Sequence, residues 1–354
     1  MKLINKMKHS GYTYQSLDDL DAVKNREDKS VLTICSMHPE RFLSADVAHP
    51  NEVKHLTIIL GFENDEEFYY STSVDKYLDK SWFYKYTDTL CSDITNFHNL
   101  ETLVAEDLKL STDLWIKFAN NSKHLKDIRF SGTYNHGEIC DDFEFDKKEE
   151  ALDALFKIPT LEKVFFEKID LPYFPPGPSN IKQLELDHVV CEDCRMSESY
   201  LKTPENEINS KKIKAIYAQN LPTHTNIKSL VLRYSRATPY DLKDLKLDQM
   251  FELEELILYC WKIDIEPILL LPKLKKFKYY TWIYKDDPLM KKLIKDPNLR
   301  FPSIEEMTLH LFDNPHFDFD FEEIKKYLAD VLKKQCVNIK KFVFNNEKFR
   351  EQVF

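Results

Sequence analysis

Cys191-Glu-Asp-Cys194, with His188 just before it, is the spacing in this sequence best suited to chemistry, since two thiols three residues apart form half of a zinc site or a redox dithiol. No second pair of ligands follows at finger spacing. The pair also falls after a strand-like phrase rather than opening a helix, so two incidental thiols in a loop are the stronger reading. Carboxylates gather at Asp141-Asp142-Phe-Glu144-Phe-Asp146 and at Asp318-Phe-Asp320-Phe-Glu322-Glu323, where a cation or a basic peptide would find ligands. The second run opens a helix, a place where acids are favoured by the helix dipole. The first reads as a loop insertion, and its role stays open. Only five glycines are scattered through the chain, and they supply neither a phosphate-cradling loop nor a dinucleotide fingerprint. His-Glu-x-x-His and Gly-x-Ser-x-Gly are missing as well. The expectation is a non-enzyme with no metal and no cofactor.

A formal net charge of −10 argues against phosphate-backbone binding, which draws on a surplus of Lys and Arg, so no nucleic-acid partner is expected. Seven cysteines without regular spacing and no signal-like amino terminus suggest reduced thiols in a cytoplasmic protein. No apolar run approaches the roughly 18 residues of a membrane span, so a soluble chain with no membrane partner is expected. Scarce Gly, and Lys far in excess of Arg, indicate an AT-rich genome such as that of a protist or a large DNA virus; a viral chain would work in host cytoplasm.

The element that must position any functional residue is a short phrase that recurs along almost the whole chain: apolar, two polar, apolar, any, apolar. Its copies include Leu100-Glu-Thr-Leu103-Val-Ala105, Leu125-Lys-Asp-Ile128-Arg-Phe130, Leu161-Glu-Lys-Val164-Phe-Phe166, Ile181-Lys-Gln-Leu184-Glu-Leu186 and Ile227-Lys-Ser-Leu230-Val-Leu232. It returns at Leu253-Glu-Glu-Leu256-Ile-Leu258, Leu274-Lys-Lys-Phe277-Lys-Tyr279, Ile304-Glu-Glu-Met307-Thr-Leu309 and Ile339-Lys-Lys-Phe342-Val-Phe344, with weaker copies at Val53 and Ile213. The fourth and sixth positions alternate with a variable fifth, which predicts a strand with one buried face. Between phrases, helical spacing occurs over 111–118, 147–157, 240–250, 288–295 and, most clearly, 321–334.

Strand, connector, helix and strand again, at intervals mostly of about 20 to 36 residues, resembles the leucine-rich-repeat superfamily, whose unit begins Leu-x-x-Leu-x-Leu. The irregular repeats look most like those of ribonuclease-inhibitor-like and F-box-associated proteins. The resemblance implies an α/β leucine-rich-repeat solenoid, a curved horseshoe with parallel strands on the concave face and helices or irregular segments on the convex one. The expected organisation is an amino-terminal cap over 1–52, containing a polar helix near 16–26 and a strand at Val31-Leu-Thr-Ile-Cys, then the solenoid over 53–345 and a tail over 346–354.

In such a solenoid the residues flanking the buried strand positions point to the concave face. From the third repeat onward they include Lys163, Phe165, Glu167, Gln183, Glu185, Asp187, Tyr217, Ser229, Arg233, Tyr259, Lys276, Lys278, Tyr280, Glu306 and His310. Aromatic residues and Arg give large contact area at low entropic cost, so Phe165, Tyr217, Arg233, Tyr259, Lys278, Tyr280 and His310 are the candidate binding set for a protein partner. The competing reading is that these aromatics pack on one another as a surface ladder. A protein-interaction module is the function these features support. The likeness to F-box-associated repeats implies an alternative, a substrate-recognition subunit for ubiquitin ligation, although 1–52 lacks the Leu-Pro-x-Glu opening of an F-box.

Overall fold

The computed structural model describes residues 8–9, 12–13, 24–25, 27–35, 43, 48–59, 93–106, 112–131, 148–167, 174–187, 219–233, 245–259, 266–269, 271–282, 292, 296, 298–313 and 321–348. By its contacts the chain forms two compact units, Met1–Asp170 and Leu171–Phe354.

In the first unit a two-residue antiparallel pair, Lys8–His9 (β1) with Tyr12–Thr13 (β2), comes first. Five strands follow: Val31–Cys35 (β3), His55–Ile59 (β4), Thr102–Glu106 (β5), Asp127–Ser131 (β6) and Lys163–Glu167 (β7). Each pairs in parallel with the next in sequence order. The strand at Val31, read from sequence as part of a cap, lies in this same parallel array, paired with β4. Register aligns Leu32, Leu56, Leu103, Ile128 and Val164 in one row and Ile34, Ile58, Ala105, Phe130 and Phe166 in another, all 2% exposed or less. Two helices, Thr112–Asn121 (α1) and Lys148–Phe156 (α2), complete this unit's described elements and pack on each other. Their buried faces, Trp115 and Phe118 on α1 and Ala151, Leu152, Leu155 and Phe156 on α2, follow the three-to-four-residue spacing seen in the sequence. The Trp115 ring meets Phe130 edge-on at 4.7 Å, and Phe130 stacks on Phe166 at 5.9 Å, so the core under this sheet is aromatic.

The second unit repeats the plan with six parallel strands: Gln183–Asp187 (β8), Ser229–Arg233 (β9), Glu255–Tyr259 (β10), Lys276–Trp282 (β11), Glu306–Asp313 (β12) and Lys341–Lys348 (β13). Its inner rows are Leu184, Leu230, Leu256, Phe277 and Met307, and Leu186, Leu232, Leu258, Tyr279 and Leu309, all 1% exposed or less. Burying such a side chain is worth about 1.5 to 3 kcal/mol, and each row is buried only because a neighbouring repeat lies on either side. Among the described residues the returning elements here are mostly short. A 3-10 turn covers Leu221–Thr223, another covers Leu247–Gln249, a single helical turn covers Glu266–Leu269 (α3), and one long helix spans Phe321–Gln335 (α4). The long helix matches the expected 321–334. The helix expected over 240–250 is, in its described part, only the 3-10 turn, because Lys246 just before it takes a left-handed backbone (φ 48°) that an α-helix cannot contain. The segments at 288–295 and around 16–26, and the phrase at Ile213, lie essentially outside the described residues.

One backbone device repeats in both units. In most strands the last two N–H groups leading in converge on a single carbonyl of the preceding repeat: Glu101 and Thr102 donate to Lys54, Lys228 and Ser229 to Lys182, and Glu305 and Glu306 to Lys275. This fixes those repeats one step from their neighbours and gives the uniform register within each unit. Strands in one layer and helices and turns in the other, joined in sequence order, make each unit an α/β solenoid of parallel-strand repeats. No helix among the described residues is long and apolar enough to cross a membrane.

Candidate protein-binding face

Because β-strand side chains alternate, the positions between the buried ones form the outward face of each sheet. In unit 2 the residue just after the sixth position of each phrase is Asp187, Arg233, Tyr259, Tyr280 and His310 in successive strands, and parallel register places them side by side. Arg233 is held from one side by two carboxylates, with Asp187 Oδ2 at 2.8 Å and Glu185 Oε1 at 2.9 Å. On its other side the guanidinium carbon lies 5.0 Å from the Tyr259 ring centre. Tyr259 stacks on Tyr280 at 3.9 Å with the rings 7° from parallel, and Tyr280 stacks on His310 at 4.2 Å and 6°. The result is a continuous ladder of planar groups running across four strands.

Its electrostatics follow from burial and neighbours. Burial opposes the Arg233 charge, but Glu185 and Asp187 more than offset it and hold the guanidinium above its ordinary value. Burial, with a hydrogen bond shared with Tyr280, pushes the Tyr259 phenol well above the ordinary tyrosine value, while Arg233 pulls the other way. Both groups therefore keep one protonation state across neutral pH.

Geometry decides what the ladder can touch. Arg233 and Tyr280 cover the two faces of Tyr259, and Tyr259 and His310 cover the two faces of Tyr280. Neither ring has a face left for a nucleobase, a proline or a ligand cation to stack on, so a partner meets ring edges and polar tips. Beside the ladder lie Val231, 7% exposed, and half-buried Ile257, which form an apolar strip. Lys278 belongs to this second row, its Nζ 3.5 Å from Glu255.

The structure thus brings together Arg233, Tyr259, Tyr280 and His310, with Lys278 adjacent. Phe165 lies in unit 1, half-buried on β7 beside Arg129, whose guanidinium pairs with Asp127 on its own strand at 3.2 Å. Tyr217 lies outside the described residues, as do Cys191, Cys194, His188 and the acidic run at 141–146. Among the described residues no group of three or more His, Cys, Asp or Glu side chains is placed to hold a metal.

The sequence reading placed Glu185 and Asp187 on this face but gave them no role, and two features escaped it. The first is that these two carboxylates, at the fifth and seventh places of the phrase that begins at Ile181, anchor Arg233. The second is a band of charge at the second place of the phrases. It alternates as Lys54, Glu101, Lys126, Glu162 in unit 1 and, after Lys182, as Lys228, Glu254, Lys275, Glu305, Lys340 in unit 2. Glu101 bridges Lys54 at 3.3 Å and Lys126 at 2.8 Å; Glu254 bridges Lys228 at 3.0 Å and Lys275 at 4.0 Å; Lys340 meets Glu305 at 2.7 Å. Hydrogen bonds from these lysines hold the glutamate carboxyls below their ordinary value.

No family model and no curated protein sequence matches the chain. Among solved structures, it is similar to the leucine-rich repeat-containing protein LegL7 from Legionella pneumophila, at 15% identity over 90% of each chain with a TM-score of 0.41. It is also similar to an internalin (inlF) from Listeria monocytogenes, at 11% identity over 97% of this chain and 86% of the other with a TM-score of 0.34. A structure of the Rad7 and Elc1 complex in yeast matches at 11% identity over 94% of this chain and 83% of that one, with a TM-score of 0.28.

Proposed function

We propose that the chain is a non-catalytic protein-interaction module that engages a protein partner through the outward face of β9 to β12, with Arg233, Tyr259, Tyr280, His310 and Lys278 as its contact residues. The observation that carries this reading is the stacked ladder itself. Its side chains are fixed before a partner arrives: Arg233 by two ion pairs, and the rings by one another. Preorganised aromatic and Arg surface loses little entropy on binding, which is what a hot spot needs. With the ring faces closed, recognition runs through the Tyr280 hydroxyl, the His310 edge and Lys278, over the apolar strip of Val231 and Ile257. Stacking modes of nucleic-acid or proline recognition do not suit Tyr259 and Tyr280.

The test uses the chain as bait in lysate, beside a variant carrying Arg233→Ala, Tyr259→Ala and Tyr280→Ala, and a control with Arg129→Ala and Phe165→Ala on the face of unit 1. Circular dichroism establishes that each bait is folded. A protein retained by the native and control baits and lost from the triple variant supports the reading. Retention unaffected by the triple variant sinks it.

A further inference from the structure

Neighbouring repeats of unit 2 are joined in two ways. Between β9 and β10, β10 and β11, and β12 and β13, the joint carries a surface Lys–Glu bridge, at 3.0, 4.0 and 2.7 Å. Between β8 and β9 the alternation fails, because Lys182 stands at the place that faces Lys228. There the strand starts are joined instead by a buried polar clamp between the segments that lead into the two strands, while on the outward face Arg233 bridges to Glu185 and Asp187.

The clamp centres on His224, which is 1% exposed. Its Nε2 lies 2.8 Å from the Pro175 carbonyl and its Nδ1 lies 2.7 Å from the hydroxyl of Ser179, itself 7% exposed. A carbonyl only accepts, so Nε2 carries the proton, and in the neutral ring Nδ1 accepts from the Ser179 hydroxyl. Bonds that do not titrate frame it: Asn220 Nδ2 to the Phe174 carbonyl at 2.7 Å, Gly177 N–H to Thr223 Oγ1 at 2.6 Å, and Asn226 Nδ2 to the Ser179 carbonyl at 2.7 Å. A side chain on Gly177 would run into the Thr223 carbonyl, so the two segments touch only because this residue has none. The described groups that meet the imidazole include the Ser179 hydroxyl, the Pro175 carbonyl and the edge-on Phe174 ring at 5.3 Å. The charged groups of the surrounding elements are Lys182 and Lys228 at the strand starts, and Glu185, Asp187 and Arg233 on the opposite, outward face.

We propose that the β8–β9 joint is acid-sensitive: protonation of His224 opens this pair of strands while the joints bridged by surface ion pairs stay closed. A second proton on Nδ1 would face the Ser179 hydroxyl, reverse that hydrogen bond and leave a charge in a site closed to water. Burial holds the imidazole below its ordinary value of 6.5, in keeping with this geometry. The sign follows: the joint is intact at pH above about 6.5, where both closed and open forms are neutral, and weakens as pH falls, because the open form takes up a proton that the closed form refuses. On the outward side the same two strands carry Glu185, Asp187 and Arg233, so opening would release the anchored end of the ladder. That last consequence rests on the proposed binding face; the joint does not.

Amide hydrogen exchange of the full chain at pH 7.5 and 5.5, corrected for the intrinsic rate, tests it. With an open-state value near 6.5, peptides covering 181–187 and 227–233 should open about tenfold more at the lower pH, relative to those covering 253–259 and 274–280. His224→Gln, whose amide offers both a donor and an acceptor, should keep protection at pH 7.5 and lose the pH response. In the native chain the His224 ring signal should titrate below 6.5. Uniform acceleration of all strands, no acceleration, a response that survives His224→Gln, or a ring that titrates at or above 6.5 would each overturn the proposal. If the Gln chain fails to fold, the exchange pattern and ring titration of the native chain decide.

Discussion

The two units share one repeat geometry and both bury aromatic rings beneath it, but unit 2 also stacks rings on its outward face. In unit 1 the rings lie beneath the sheet: Trp115 and Phe118 from α1 and Phe156 from α2 pack with Phe130 and Phe166 from the strands. Its outward face is largely small or polar, with Thr33, Thr57, Thr102 and the Arg129–Asp127 pair. In unit 2 the inner rows are mostly Leu, and the rings of Tyr259, Tyr280 and His310 stand outside. The difference teaches that place within the phrase, not aromatic content, separates residues that hold the fold from residues available to a partner.

The sharpest way to break that distinction is to remove one ring from each side. Trp115→Ala deletes a side chain 1% exposed that touches Phe118 and Phe130, and should destabilise unit 1 by about 3 to 5 kcal/mol, read from chemical denaturation. Tyr280→Ala removes two stacking contacts at a half-buried position and should cost only about 1 to 2 kcal/mol, while abolishing retention of the partner. Equal destabilisation by the two substitutions would erase the contrast.

Much of this was legible in the sequence because the phrase encodes it directly. Alternation of Leu256, Ile257 and Leu258 assigns each residue to a face without knowledge of any contact, and the face assignments of Arg233, Tyr259, Tyr280 and His310 follow from the same count. What could not be read was registration between strands far apart in sequence. Asp187 and Arg233 are 46 residues apart, as the bond between them shows, and only the alignment of β8 with β9 makes them neighbours. The helix expected over 240–250 is not borne out in its described part for a local reason, the left-handed Lys246, at a residue type that gives no warning of it. His224 gave no signal either, since its partners Ser179 and Pro175 lie 45 and 49 residues away.

The comparison sharpens at the anchored end of the ladder. Asp187 is 7% exposed and its carboxylate meets Arg233 at 2.8 Å, so Asp187→Asn should keep the shape and cost about 1 kcal/mol. A double-mutant cycle with Arg233→Met measures the coupling. If the pair serves to place Arg233 over Tyr259, then Asp187→Asn should weaken partner retention more than its stability cost accounts for. A loss of binding no greater than the loss of folded protein would make the pair merely structural.

The smallest effect is expected where both units are alike, in the Lys–Glu band along the strand starts. These pairs are exposed, so any one contributes little and salt screens it. Their arrangement says more than their strength: Glu254 lies between Lys228 and Lys275, and Glu101 between Lys54 and Lys126, so these repeats carry the charge opposite to that of the neighbours they bridge. With Lys182 already beside Lys228, Glu254→Lys would set four cations in a row and should lower the unfolding midpoint slightly in dilute buffer, with the deficit vanishing in roughly 1 M salt. Because the Glu101, Glu254 and Glu305 carboxyls are held below their ordinary value, what they contribute is present above about pH 4.5 and is lost as pH falls through their folded values. Protonating these carboxyls should therefore remove the bridge's share of that deficit and leave only the repulsion among the lysines. A Glu254→Lys deficit that persists in high salt would mean that Glu254 acts through packing, and that the alternation is no more than a pattern in the sequence.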